Sequence, residues 1–124
     1  MRILVAEDDT QNREIIRRLL ERLSAEVVTA RDGAEAVERF ERDGAFDLVL
    51  LDLSMPGSDG YMAAGAMRDI ERRRGRPRSP IIALSGSDDS PSIGQAGFDG
   101  FVQKPVGSAS LREILDRWAR GGTG

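Results

Sequence analysis

The stretch LVLLDLSMPG, at positions 48–57, decides the fold of this chain. Its first four residues are apolar without alternation, which indicates a strand buried on both faces, as in a parallel sheet. Met55–Gly57 then ends any regular element. Asp52 therefore stands at the carboxyl end of a central strand, the edge of an open α/β sheet where ligands bind.

Length and composition indicate one globular domain. The chain has 124 residues, 40% of them hydrophobic and 31% charged, with a net charge of −3. This charge does not favour direct binding to nucleic acid or a membrane surface. Cysteine and histidine are absent, which excludes disulfides, thiolate metal sites and histidine-based catalysis on this chain. No apolar run approaches the ~20 residues that span a bilayer, and no signal-peptide pattern is seen at the start, so we expect a cytoplasmic location.

Strand and helix patterns alternate five times along the chain. Strands are predicted at Arg2–Ala6, Glu26–Ala30, Leu48–Asp52, Pro80–Leu84 and Gly100–Pro105. Helices are predicted over Thr10–Leu23 with Thr10 as N-cap, from Asp32 to Gly44, over Gly60–Arg74, and from Ser110 or Ser108 onward. This alternation predicts a parallel sheet with helices on both faces.

Four further features give expectations that the structure can test. Ile15 and Met62 fall on the apolar faces of their helices and are expected to point inward. Gly65 lies within a helix, so either a neighbouring backbone comes close there or the helix is weak. The basic run Arg72–Arg78 is expected to be a solvated loop.

The predicted domain covers residues 1–120, and two segments are expected to lack regular structure. Residues 86–97, between the fourth and fifth strands, contain few helix formers, so any helix there is short or irregular. Residues 121–124 are expected to form a flexible tail.

Polar residues of particular kinds follow four of the five strands. Glu7–Asp8 follow the first strand, Asp52 ends the third, Ser85 follows the fourth and Lys104 follows the core of the fifth. Three carboxylates at one sheet edge require a cation, and oxygen ligands suit Mg²⁺. With the lysine and the hydroxyl they could bind a phosphoryl group, for which Asp52 is the natural nucleophile.

These motifs resemble the receiver domain of two-component response regulators, such as the chemotaxis response regulator. The matching segments are the acidic pair Glu7–Asp8, LLDLSMPGSDG around Asp52, IIALSG around Ser85, and FVQKP around Lys104. Each motif alone is weak, but four in the correct order are specific. The resemblance covers essentially the whole chain and implies a flavodoxin-like, doubly wound fold with a five-stranded parallel sheet.

The resemblance also implies a set of magnesium ligands. Asp8 and Asp52 would coordinate Mg²⁺ directly, together with the backbone carbonyl of Ser54. Glu7 would act mainly through a metal-bound water.

Other positions match groups that hold the phosphoryl group or respond to it. Ser85 and Lys104 would bind phosphoryl oxygens, and the small Gly86 would leave room for them. Phe101 matches an aromatic residue that turns inward on activation, although it could simply be a partly buried aromatic. The Lys104–Pro105 bond matches a cis peptide of the family.

In such a domain a phosphohistidine, on a sensor histidine kinase or a histidine phosphotransfer protein, supplies the phosphoryl group to Asp52. The domain assists this transfer and the later hydrolysis of its own acyl phosphate, which makes it a signalling domain rather than an enzyme. The segment Arg72–Pro80 is most similar to receivers attached to hybrid sensor kinases.

Three other classes are compatible with parts of the pattern. A haloacid-dehalogenase-like phosphatase would need a second acid where Ser54 stands. A flavodoxin-like cofactor binder would place phosphate against Glu7–Asp9, whose charges repel it. A receiver fold could also serve as a phosphorylation-independent interaction module.

Overall fold

The computed structural model describes residues 1–44, 46–53, 60–86 and 97–120, except for the side chains of the last two. The strands in this part of the chain are β1 Arg2–Ala6, β2 Glu26–Ala30, β3 Leu48–Asp52, β4 Ile81–Ser85 and β5 Gly100–Gln103. Its α-helices are α1 Thr10–Arg22, α2 Gly33–Asp43, α3 Gly60–Arg74 and α4 Ser108–Ile114, and α4 continues as a π-helix over Leu115–Arg120.

The five strands form one parallel sheet in the order β2-β1-β3-β4-β5. All five residues of β3 are buried, and so are all five of β4. This confirms the parallel α/β fold class and the central position of Leu48–Asp52, because a strand covered on both faces needs apolar side chains on both.

Each face of the sheet has its own hydrophobic core. Val49 and Leu51 pack in a cluster with side chains of α2 and α3. Leu48 and Leu50 pack in a second cluster with side chains of α1 and α4. Successive residues of a strand point to opposite faces, so the continuous apolar run of β3 supplies both cores.

Several predicted element ends move by one or two residues. The N-cap of α1 is Asp9 rather than Thr10, because the Asp9 carboxylate accepts hydrogen bonds from the backbone N–H groups of Gln11 and Asn12. The last helix begins at Ser108, the earlier of the two predicted starts. The strand β4 lies one residue later than predicted, and β5 ends at Gln103, before the proline.

Two apolar side chains that were expected to face inward are exposed. Ile15 is 52% exposed and Met62 is 74% exposed, whereas Ile16, the neighbour of Ile15, is buried. Consecutive helical residues differ by about 100° in direction, so a residue at the margin of an apolar stripe is turned toward solvent. The prediction of inward packing was wrong at both positions.

The basic run is also more ordered than predicted. Arg76 donates hydrogen bonds to the carbonyl oxygens of Phe40 and Glu41 over 2.8 and 2.7 Å. These carbonyls lie in the last turn of α2, where helical partners are missing. Arg78 pairs with Asp99 at 2.9 Å. The run is therefore largely solvent-exposed, as predicted, but Arg76 and Arg78 also tie it to α2 and to the start of β5.

The remaining expectations have different outcomes. A Cβ built on Gly65 would meet no atom of the described residues within 4 Å, so among them no close backbone explains this glycine. The predicted irregular segment covers residues 86–97, of which 87–96 lie outside the described residues, as does the predicted tail at residues 121–124; the domain boundary at residue 120 stays a prediction. Among the described residues, no helix has both the length and the apolar character that crossing a bilayer requires.

Candidate functional site

Four strand ends meet at the carboxyl edge of the sheet. Glu7 directly follows β1 and donates its backbone N–H to the carbonyl of Ala30 over 3.1 Å. Asp52 is the last residue of β3 and pairs in register with Leu84 of β4. Lys104 directly follows β5, and its backbone N–H donates to the carbonyl of Ser85 over 2.7 Å. Strand register therefore brings together the residues that the sequence placed at this edge.

Three carboxylates form one cluster there. Glu7, Asp8 and Asp52 each offer an oxygen atom, and these three atoms lie within 4.8 Å of one another. Glu7 and Asp52 are each 1% exposed, while Asp8 is exposed. The cluster thus has two acids at its buried end and a third at the solvent.

The ammonium group of Lys104 lies near both buried carboxylates. The Nζ of Lys104 lies 2.7 Å from Oδ2 of Asp52 and 3.5 Å from Oε1 of Glu7. The longer distance exceeds the normal range of a hydrogen bond, and both Glu7 oxygens are buried without a hydrogen-bond donor in the described part of the chain. The positive charge is directed mainly at Asp52.

This arrangement changes proton affinities at both partners. Burial raises the pKa of Glu7 to about 8, and the neighbouring Asp52 carboxylate adds to the effect. Burial alone would lower the pKa of Lys104, but its hydrogen bond to Asp52 and the charges of Asp52 and Glu7 raise it overall. Glu7 therefore binds a proton more readily than a solvated glutamate does.

The cluster fits a hard divalent cation. It offers carboxylate oxygens from three residues, which are the ligands that Mg²⁺ prefers. A cation there would supply charge to the buried Glu7 carboxylate, which now lacks a donor. The backbone carbonyl of Ser54 lies outside the described residues, so its role as a magnesium ligand stays a prediction.

The other predicted site residues occupy two different surroundings. Ser85 is buried at 1% exposure at the end of β4, and a Cβ built on the adjacent Gly86 would meet no atom within 4 Å. Phe101 lies in the edge strand β5 opposite Ala83 and is 37% exposed. The Lys104–Pro105 peptide bond is cis, as the resemblance implied.

Sequence reasoning missed a residue that positions Asp52. A Cβ on Gly60, the first residue of α3, would lie 2.9 Å from the backbone oxygen of Asp52 and 3.1 Å from a methyl group of Leu53. The amino end of α3 therefore reaches the end of β3 because Gly60 has no side chain. A glycine at a predicted helix start, soon after the motif aspartate, was the available signal.

Arg68 is a second residue that sequence reasoning missed, and it supports the fold rather than the site. It is 7% exposed and donates to Glu71, Asp99 and the carbonyls of Ser79 and Gly97 over 2.7–3.0 Å. Its partners lie up to 31 residues away, so no local pattern could have revealed it.

Fold and site together define a flavodoxin-like α/β domain with an acidic, lysine-containing cluster at the carboxyl edge of its sheet. The chain belongs to the response regulator receiver domain family, whose model matches residues 3–116. It is thus a receiver domain of phosphorelay systems. This membership rules out the phosphatase and cofactor-binder classes that were considered from sequence.

Relatives of known name and structure agree with this membership. The chain is 36% identical over 120 residues to the sensor protein GacS of Pseudomonas syringae, covering 94% of this chain and 13% of that protein. It is 36% identical to the receiver domain of a Pseudomonas aeruginosa sensor histidine kinase with magnesium coordinated in its active-site cleft, with a TM-score of 0.84 and coverage of 96% and 97%. The receiver domain of a Saccharomyces cerevisiae response regulator, solved with a histidine phosphotransfer protein, is 25% identical, with a TM-score of 0.90 and coverage of 98% and 90%.

Proposed function

We propose that Asp52 accepts a phosphoryl group from a phosphohistidine on a sensor histidine kinase or a histidine phosphotransfer protein. The observation that carries this proposal is a buried carboxylate, 2.7 Å from the ammonium of Lys104 and within 4.8 Å of two further acids. Such a carboxylate is held in place and faces groups that can neutralise an incoming phosphoryl group.

In this proposal Glu7, Asp8 and Asp52 hold Mg²⁺, with the carbonyl of Ser54 as a further ligand. When bound, the ion would neutralise charge on the phosphoryl oxygens during transfer. The support is the oxygen-only ligand set of this chain and the raised pKa of Glu7.

The transfer is an in-line displacement at phosphorus. A carboxylate oxygen of Asp52 forms the new P–O bond, the P–N bond to the partner's imidazole breaks, and the imidazole nitrogen keeps the electron pair and takes up a proton. Lys104 then turns its ammonium toward the phosphoryl oxygens, and the hydroxyl of Ser85 donates a hydrogen bond to one of them. Water later hydrolyses the acyl phosphate, so the chain assists reactions at its own Asp52 rather than turning over a separate substrate.

We propose that the phosphohistidine partner docks at a cavity beside the site. A cavity of about 440 Å³ reaches from the exposed Ile15 to Lys104, with Pro105 and Val106 on its rim. An apolar face of a histidine-bearing helix would cover Ile15 and place its imidazole above Asp52. The yeast receiver that resembles this chain was solved with a histidine phosphotransfer protein.

Docking and chemistry can be tested separately. We expect Ile15→Ser to slow transfer from a phosphorylated histidine phosphotransfer domain while leaving phosphorylation by acetyl phosphate unchanged. Met62→Ser, which replaces another exposed apolar side chain, is the matched control and is expected to alter neither reaction. Equal effects of the two variants on the protein donor would contradict docking at Ile15.

The phosphoacceptor itself is tested by intact mass after incubation with acetyl phosphate. We expect a gain of one phosphoryl group that requires Mg²⁺, is absent in Asp52→Asn, and is retained in Asp47→Asn, whose carboxylate lies before β3 and bonds the backbone of Arg2. If neither Mg²⁺ nor the phosphoryl group binds, the phosphorylation-independent interaction module is the better interpretation. A cytoplasmic location and the absence of direct nucleic-acid or membrane contacts stay predictions.

A further inference from the structure

A second charged cavity lies at the opposite end of the molecule from Asp52, beside the amino ends of β4 and β5. Its volume is about 510 Å³, and it is bounded by α3, the chain that follows α3, and Gly97. Four of its lining side chains are arginines: Arg68, Arg72, Arg76 and Arg78. The carboxylate among the described lining residues belongs to Glu71, so positive charge predominates on its walls.

The acids near these arginines are shared between them. Asp99 accepts from Arg68 at one oxygen, over 2.7 Å, and from Arg78 at the other, over 2.9 Å. Glu71 binds Arg68 with one oxygen and the backbone N–H of Ser79 with the other. The charges of Arg68 and Arg78 are therefore balanced by those of Asp99 and Glu71, and a surplus of positive charge has to come from the other two arginines.

Arg76 and Arg72 supply the surplus of positive charge in this cavity. The contacts that hold Arg76 run to two carbonyl oxygens, and no carboxylate pairs with it among the described residues. Arg72 lies 3.4 Å from Asp69, and Asp69 has a shorter contact of 2.9 Å with Arg73. The carbonyl contacts fix the Arg76 guanidinium but use two of its five N–H groups, so donors remain for a ligand.

We propose that this arginine cavity binds a small phosphorylated molecule that carries at least two negative charges. Its volume lies in the range of small-molecule sites. Guanidinium groups present paired N–H donors that match phosphate oxygens in a bidentate manner. The chain supplies the cavity without Asp52 or its acidic neighbours, so binding requires neither a metal ion nor phosphorylation.

The test is calorimetric titration with sodium pyrophosphate in EDTA-containing buffer at low ionic strength, where the carboxylate cluster holds no metal. We expect saturable binding that is tighter than binding of inorganic phosphate. The double variant Arg72→Gln/Arg78→Gln should weaken it about tenfold or more, since each charge-assisted contact is strong. The matched control Arg39→Gln/Arg42→Gln removes the same charge from exposed arginines of α2 and should leave the affinity unchanged.

Three results would overturn the proposal. The first is that pyrophosphate shows no saturable binding. The second is that both double variants lose affinity for pyrophosphate equally. The third is that Lys104→Gln loses affinity for pyrophosphate while Arg72→Gln/Arg78→Gln does not. Arg78→Gln breaks a contact to Asp99, so circular dichroism and the urea midpoint are recorded for each variant. The single variant Arg72→Gln, at a side chain 75% exposed, gives the same comparison if the double variant is unstable.

Discussion

Replacing Glu7 by glutamine tests how strongly the carboxylate cluster opposes folding when no cation is bound. The pKa of Glu7 rises from 4.5 to about 8 in the folded protein, chiefly through burial. Between these pH values the folded state keeps a proton that the unfolded state has released. The free energy of unfolding of the wild type therefore falls as pH rises through this window.

The size of the change follows from the two pKa values. A tenfold difference in proton affinity is worth about 1.4 kcal/mol, so the full linked change is roughly 5 kcal/mol. This is a large part of the total stability of about 5–15 kcal/mol expected for a domain. Glutamine cannot ionise, so we expect Glu7→Gln to be more stable than the wild type near pH 8 without metal, and the advantage to shrink toward pH 4.5.

Urea unfolding in EDTA, followed by the fluorescence of Trp118, measures both proteins across this window. Exposed Glu26, at the start of β2, provides the control Glu26→Gln, which should keep the pH slope of the wild type. Saturating Mg²⁺ should stabilise the wild type more than Glu7→Gln, because the ion binds the carboxylate. A difference between wild type and Glu7→Gln that stays constant with pH, or that moves in favour of the wild type as pH rises, would refute the reasoning.

Three further substitutions have defined expectations. Lys104→Met removes the ammonium 2.7 Å from Asp52 and should slow phosphorylation by acetyl phosphate about a hundredfold to a thousandfold; a rate like the wild type in the intact-mass assay would contradict its role. Arg68→Met removes the buried guanidinium that pairs with Glu71 and Asp99 and should cost about 3–5 kcal/mol in urea unfolding, whereas Arg73→Met breaks an exposed pair and should cost less than about 1 kcal/mol; equal costs would show that burial of Arg68 does not matter. Gly60→Ala puts a Cβ 2.9 Å from the backbone oxygen of Asp52 and should cost about 1–3 kcal/mol and slow phosphorylation; unchanged stability and rate would show that α3 moves freely.

The central strands β1 and β3 could be predicted from sequence because strands that are buried on both faces are apolar almost throughout. The bounds of β1, β2 and β3 were predicted correctly. A strand such as Leu48–Asp52 is apolar until it reaches the edge of the sheet, and its first charged residue marks that edge. The positions of Glu7, Asp52 and Lys104 follow from the same rule, since parallel strands end together.

Helix faces were harder to predict. Ile15 and Ile16 are identical in sequence terms, yet one is 52% exposed and the other 4% exposed. The orientation of α1 on the sheet determines which of the two side chains points inward. The spacing of apolar residues does not specify that orientation. The N-cap of α1 had a similar ambiguity, because Asp9 and Thr10 are both good caps, and the geometry of the turn selects Asp9.

Long-range polar contacts could not be predicted at all. Arg76 bonds a carbonyl 36 residues away, and a guanidinium has no local signature that separates this contact from solvation. The structural role of a basic run therefore cannot be predicted from sequence alone. In this chain Arg76 caps the carboxyl end of α2, and several arginines of the run line a cavity.

The distribution of cations between the two ends of the molecule has a chemical reason. The chain contains seventeen arginines and a single lysine, Lys104. Arginine suits the cavity lined by Arg68 and its neighbours because a planar fork held by carbonyls keeps a fixed direction. In the transfer that we propose, the cation at the carboxylate cluster would pair with Asp52 before the reaction and with phosphoryl oxygens after it, and a compact ammonium on a flexible stem suits that change of partner. Under this proposal, lysine at position 104 would supply a charge that can follow the reacting group, which an arginine fork held by fixed contacts could not.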